Sequence, residues 1–407
     1  MKSYHRNSIP KILFFLFIII ALIGIITNPS LSLNSAASGL TIWFNIVIPS
    51  LLPFLIISEI LIGLGFVDFI GKLLSPLMGP LFNLPGEGAF PISMAVISGY
   101  PVGAKLTSRL REEKLITRIE ADRLISFTST SGPLFMLGAV SIGMLQNPKI
   151  APLILIPHYL SVIVLGFIFS FYNSPNRRFI LKNNKSIFEE IKSSYILWLK
   201  TKKSIGSLIT KSIKESMDTI ILIGGLVIFY SVLVEIIFNM TFFKNFLYYI
   251  SNILSVDSQI IKGIITGFFE VTIGCKNIAA TNTSLINKIL IINFLIGWSG
   301  LSVHSQSLSF INSTDINGKI YIVSKFFHGI LSTLFSYLIY LIGYKNYIQP
   351  TFIESKPIFR HLQISDWMNL LTNSSKLAIS MGLYILFLSI FVSIIFRFLK
   401  NILIRSS

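Results

Sequence analysis

Cysteine is nearly absent: Cys275 is the single one in 407 residues. A disulfide within the chain is thereby excluded, and cysteine usage leaves the redox compartment open. Also missing are a glycine-rich nucleotide loop of either common type, a cluster of histidines and cysteines spaced for a metal, and a nucleophile motif of the G-x-S-x-G kind. Without these the chain does not read as an enzyme, no cofactor or metal is expected, and ATP-driven pumping by this chain alone is disfavoured. Acids are scarce as well, 17 against 34 lysines and arginines, so the formal net charge is +17.

Apolar residues, by contrast, make up 53% of the chain, and the mean hydropathy is +0.74, far from the profile of a soluble domain. Crossing about 30 Å of hydrocarbon takes roughly 20 helical residues. Eight stretches qualify: 11–27, 40–63, 124–145, 152–172, 218–239, 289–311, 320–343 and 377–396. The expected fold class is all-α, a polytopic integral membrane protein. Lys2, Arg6 and Lys11 precede the first stretch and "SAAS" follows at 35–38, a pattern also seen in signal peptides. The run "ILFFLFIIIALIGII" is long for a signal core, and it reads as an uncleaved anchor.

A strong positive charge raises the question of nucleic acid, but its placement answers differently. Ten lysines and arginines from Arg177 to Lys214 share one loop between crossings, the marking of the cytoplasmic side. The N-terminus, the segment Lys105–Arg123 and the tail with Arg397, Lys400 and Arg405 are also basic, whereas 28–39 reads as an uncharged loop. Eight crossings with both termini in the cytoplasm put every strongly basic loop inside. The expected partners are the lipid bilayer and a small anion, with no nucleic acid, and a homo-oligomer is left open.

The chain repeats itself. "VGAKL" at 102–106 resembles "IGCKN" at 273–277, and "LISFTSTSGPLF" at 124–135 faces "LIGWSGLSVHSQ" at 295–306, both at an offset of 171 residues. The organisation read from this is an anchor helix over 1–39, a first repeat over 40–172, a basic loop over 173–215, a second repeat over 216–343, and a loop with a last crossing over 344–407. The two copies enter the membrane from opposite sides, an inverted repeat of the kind that builds secondary transporters around a midplane site.

Each half also holds an apolar segment that is not a crossing, 88–104 and 260–275. The first leaves and returns to the same side, so both are expected to be re-entrant hairpins, with "SGYPVGAKL" and "GFFEVTIGC" as tips. Gly99, Gly103 and Gly274 admit unusual backbone angles, and Pro101 cannot donate to a helix ladder. Lys105 and Lys276 then occupy equivalent positions past the turns. Both at the midplane would suit a dianion, yet Lys105 also fits as the start of a basic cytoplasmic stretch. Ser126, Thr128, Ser129, Thr130 and Ser131 in one crossing, and Ser299, Ser302, His304, Ser305 and Gln306 in its counterpart, suggest discontinuous helices that bind a ligand or ion. Helix packing accounts for the same hydroxyls. His304 is either a proton carrier or an interhelical donor. Glu270 is a cation ligand, a protonatable group or a partner of Lys276.

With these residues in view, "SGYPVGAKL", "EADRLISFTSTSGPLFMLGAV" at 120–140 and "WSGLSVHSQ" at 298–306 resemble the family of sporulation integral membrane proteins that carry a nucleoside-recognition, or gate, domain. The resemblance spans about 40–343 and extends more widely to concentrative nucleoside transporters. It implies two inverted repeats with re-entrant hairpins and discontinuous helices, an endospore-forming bacterium, and the outer forespore membrane. It also implies movement of dipicolinic acid, a planar pyridine dicarboxylate, towards the forespore. Tyr100 and Phe269 beside the tips would stack on such a ring. The proline-free second tip departs from the first. Nucleoside transport coupled to a cation, and a spore-assembly role without transport, are the other readings.

Overall fold

The computed structural model describes residues 15–16, 18–64, 66–173 and 204–344, together with Thr372 and Lys376. Among them there are helices and no strand. The crossing expected at 377–396, most of the basic loop and the start of the first crossing lie outside the described residues. Helix α1 (Ile18–Thr27) is followed by α2 (Pro29–Ile42) and α3 (Ile48–Gly63), which a π-helical turn joins into one 35-residue span. The stretch 28–39, read as an uncharged loop between crossings, is helical from Pro29 on. Its serines do not stop the helix because they bond back to it: Ser32 Oγ donates to Asn28 O at 2.9 Å and Ser35 Oγ to Leu31 O at 2.7 Å.

Next come α4 (Phe66–Phe82), α5 (Ala89–Ser98), α6 (Val102–Glu112) and α7 (Arg118–Thr128), then a π-helical segment Phe135–Met144 and α8 (Pro152–Phe169). The second half holds α9 (Ile205–Asn239), α10 (Thr241–Leu254), α11 (Ser258–Phe269), α12 (Val271–Ala280), α13 (Leu285–Trp298), α14 (Gly300–Ile311) and α15 (Gly318–Ile339). At 1.5 Å per residue α9 is about 52 Å long, more than a bilayer core. It begins inside the segment assigned to the basic loop, where Ser204 caps it by accepting from Ser207 N at 3.2 Å.

The offset of 171 seen in the sequence is reproduced by the elements. Ser98 ends α5 and Phe269 ends α11, 171 residues on. Residues 148–169 and 318–339, two 22-residue stretches, are offset by 170. Packing obeys the same relation: α6 of the first hairpin lies on α14, and α12 of the second lies on the π-helical segment. In each case the arm of one repeat covers the far half of the other repeat's broken helix, as a twofold exchange requires. The fold is thus a polytopic inverted repeat with two hairpins and two discontinuous helices.

Among the described residues, five helical spans are long and apolar enough to cross a membrane. Helix α15 shows how they sort their faces. Ser324, Lys325, His328, Ser332 and Ser336 are buried, while Ile322, Val323, Phe326, Phe327, Ile330 and Leu334 are exposed. The spacing of three and four puts the polar side chains on one stripe turned inward and the apolar ones towards lipid. Interhelical hydrogen bonds hold that stripe: Asn293 Nδ2 donates to Leu153 O at 3.0 Å, and Ser336 Oγ to the same carbonyl at 2.9 Å.

At one end the repeats are tied by charge. Arg111 at the end of α6 holds Asp315 through Nε–Oδ1 at 2.8 Å and Nη2–Oδ2 at 2.9 Å, and Asn317 N donates to Asp122 Oδ1 at 2.8 Å. The guanidinium holds the Asp315 carboxyl below its ordinary value. Its stabilising effect is therefore whole above the unfolded carboxylate pKa of about 3.9 and is lost as pH falls through the lower folded value. Asp315→Asn is expected to lower thermal stability slightly at pH 7 in low salt. The difference should shrink at high salt, because the pair is solvent-facing and screened, and fade as pH falls below the ordinary carboxylate range. Melting curves of both proteins under the three conditions check this.

Candidate functional site

The first hairpin turns at Gly99–Pro101. Gly99 has φ 77° and ψ −172°, and the Tyr100–Pro101 peptide is cis. A Cβ on Gly99 would stand 2.7 Å from Gly132 N, so the tip rests directly on the backbone that interrupts the first broken helix. Between Thr128, which ends α7, and the π-helical segment the chain is unwound over Ser129–Gly132, next to Pro133. The second hairpin reproduces the arrangement with its parts exchanged. Its turn is Glu270, in extended conformation, and the positive φ falls on the facing break, at Ser299 and Gly300, both 78°. A Cβ on Gly300 would meet Val271 N at 3.0 Å and Phe269 O at 3.1 Å.

The glycines expected at the turns are thus only partly there. Gly103 lies inside α6 against the Thr128 carbonyl and Ala95, and Gly274 lies inside α12 against Gly267, which lets the two hairpin arms close. Both are close-approach glycines. Tyr159 Oη on α8 donates to Ser131 O in the first break at 3.0 Å, and Trp298 Nε1 donates to Phe268 O at 3.2 Å, clasping the second tip to its break.

The hydroxyl residues read from the sequence do converge here, with different duties. Ser126 Oγ donates to Arg123 O at 2.7 Å, a local bond within α7, and the Thr128 and Thr107 hydroxyls lie 3.1 Å apart, a packing contact between α7 and α6. Thr130 Oγ1 is 2.6 Å from His158 Nε2, and Ser131 N donates to that same nitrogen at 3.1 Å. In the second half Ser299 Oγ donates to Ile296 O at 3.3 Å, and Gln306 Nε2 to Ser302 O at 3.1 Å, both local bonds. His304 Nδ1 lies 3.1 Å from Tyr321 Oη on α15, an interhelical contact, and its ring packs edge-on to Trp298 at 4.3 Å. Glu270 is buried and accepts from Ile273 N at 2.7 Å, capping α12.

Among the described residues neither hairpin lysine makes an ion pair. Lys105 is exposed, its Nζ 6.0 Å from the Phe310 ring centroid on α14, and Lys276 is half-buried on α12. The four ion pairs among the described residues include neither Lys276 nor Glu270, so the expected alternative of a Glu270–Lys276 pair is replaced by the helix cap. Glu235, in contrast, binds Lys262 at 2.7 Å.

Three residues that the sequence reading passed over occupy the centre. Lys325, His158 and His328 are buried to 1%, 0% and 1% exposure. Lys325 Nζ donates to Ser129 O at 2.8 Å, a carbonyl freed by the break, and lies 3.5 Å from His328 Nδ1. His328 Nε2 donates to His158 O at 3.1 Å, and the two ring centroids lie 4.4 Å apart with the planes tilted by 36°. The signal was present: a lysine and a histidine three residues apart in "IVSKFFHGIL" interrupt a membrane-length apolar run.

The family model described as nucleoside recognition, the gate domain, matches residues 44–174, the first repeat. A sporulation integral membrane protein of Bacillus subtilis, YlbJ, is 33% identical over 402 residues, 97% of each chain. An uncharacterized protein of Alkalihalophilus pseudofirmus is 32% identical over 113 residues, 28% of this chain and 23% of its own. No solved structure matches significantly. Because the first of these relatives is matched from end to end, hairpins and broken helices included, the chain belongs to the YlbJ family of sporulation integral membrane proteins.

Proposed function

We propose that the protein is a transporter that moves dipicolinic acid across the outer forespore membrane during sporulation, with both termini in the cytoplasm. The observation that carries this reading is the reciprocal docking of two hairpin tips on two helix breaks. Irregular backbone at membrane depth is tolerated where it is buried in protein or lines a cavity, and it supplies freed N–H and C=O groups to a solute. A scaffold that moved nothing would not need two such costly interruptions. Relative rocking of the repeats about the tips gives alternating access to one site. Tyr100, Gly99–Gly103, Ser129–Ser131, Ser299, Ser302, His304 and Glu270 surround it, and Lys105 and Lys276 at equivalent places in the hairpin arms attract an anion on its way in and out.

The gate-domain match favours one other substrate class, nucleosides. Purified protein in liposomes separates them: labelled dipicolinate is expected to enter and labelled uridine to stay outside. Lys105→Ala and Lys276→Ala are each expected to slow dipicolinate entry. Uridine uptake would support the nucleoside alternative, and uptake of neither would leave an assembly role.

A further inference from the structure

We propose that Lys325 is the anion anchor of this transporter, the residue on which one carboxylate of the substrate is held. The inference rests on the transport reading and adds to it a specific recognition residue that is neither of the hairpin lysines. Its first ground is an uncancelled charge. The ammonium group is buried to 1% exposure, and among the described residues no carboxylate lies within 4.0 Å of it. Burying an ion without a counter-charge is among the most expensive things a fold can do, and a functional ligand is the usual reason.

The neighbours do not supply the missing charge. Ser131 N–H can only donate, so His158 Nε2 accepts and the ring's proton sits on Nδ1. His328 Nε2 faces the His158 carbonyl and must donate, which leaves its Nδ1 as the acceptor turned to Lys325. Both rings are therefore neutral in this arrangement. The other titratable groups around the site are Tyr159 on α8, His304 on α14, Tyr321 on α15, Tyr100 at the hairpin tip and the buried thiol of Cys275 on α12 near it, none of them a carboxylate. Glu270, the buried acid of the facing tip, is engaged by Ile273 N–H.

The second ground is a set of poorly satisfied polar atoms around the same ammonium. His158 Nδ1 is buried without a hydrogen-bond partner, and Ser129 Oγ, Tyr100 Oη and His304 Nε2 make no bond of good geometry, with only a looser polar neighbour beside each residue: Tyr321, Ser131 and the Trp298 backbone respectively. Such atoms are rare in native structures and each calls for an explanation. His158 Nδ1 carries a proton with nowhere to go, and the Ser129 and Tyr100 hydroxyls can both donate. Donors gathered around a cation describe an oxyanion site. The Tyr100 ring, 5.7 Å from Lys325 Nζ, adds a flat apolar wall, which suits an aromatic carboxylate.

Dipicolinate binding and uptake by the full-length protein test the proposal. Lys325→Met is expected to weaken dipicolinate binding by about 10- to 100-fold, the worth of a charge-assisted contact, while Lys325→Arg keeps most of it. A ligand-side comparison guards against a variant that does not fold: wild type is expected to bind dipicolinate at least about tenfold more tightly than the neutral pyridine-2,6-dicarboxamide. Unchanged dipicolinate affinity in a well-folded Lys325→Met protein, or equal affinity of wild type for acid and diamide, would overturn the anchor role with transport left standing. Failure of wild type to bind or carry dipicolinate would overturn the transport reading and the anchor together.

Discussion

Alanine at Gly99 is expected to destabilise the protein by about 3 kcal/mol and to abolish dipicolinate uptake, while alanine at Gly132, its contact partner, changes stability by less than about 1 kcal/mol. The contrast follows from backbone angles. At φ 77° and ψ −172° Gly99 occupies a region that only glycine enters freely, and an added Cβ would come 2.7 Å from Gly132 N. That neighbour is backbone and cannot rotate away. Gly132 has no such φ, and a Cβ there would meet its first neighbour, Gly99 N, at 3.5 Å, an ordinary contact. If the turn did not hold Gly99 at this positive φ against the break, the two substitutions would behave alike. Thermal unfolding and uptake of both variants decide the matter, and a Gly99→Ala protein as stable and active as wild type would refute tip docking.

The same residues show where sequence reasoning succeeds and where it stops. The 171-residue offset was legible because two motifs obeyed it, and the structure returns it in the ends of α5 and α11. The break after Thr128 was legible because a run of hydroxyls next to Pro133 opposes a continuous helix. The exact turn of the second hairpin was not. Gly267 and Gly274 drew attention to themselves, but their service is to let two helices touch, and the chain reverses at Glu270, which has no turn signature. Lys325 and His158 were hidden for a different reason. They sit in stretches apolar enough to count as plain crossings, and average hydropathy erases a single charge. The lysine belongs to α15, His158 to α8 and the Ser129 carbonyl to the first break, so their meeting is a fact of tertiary packing across 196 and 28 residues.

Glu270 supplies the second large effect, because one residue closes two helix ends, one with its backbone and one with its side chain. Its N–H donates to Thr266 O at 2.8 Å, finishing α11, and its Oε2 accepts from Ile273 N at 2.7 Å, starting α12. Glu270→Ala strips the cap and leaves a buried N–H unsatisfied at the positive end of a helix, at a cost of about 1–3 kcal/mol. Glu270→Gln keeps an oxygen that can accept the same bond and gives up only the charge. The expected result is a clear loss of thermal stability and uptake with alanine, and near-wild-type values of both with glutamine. The pair of variants therefore separates a cap from a charged participant in transport. A glutamine variant that melts like wild type yet carries no dipicolinate would reassign Glu270 to the transport step itself, since the carboxylate's charge would then be needed for something other than holding α12.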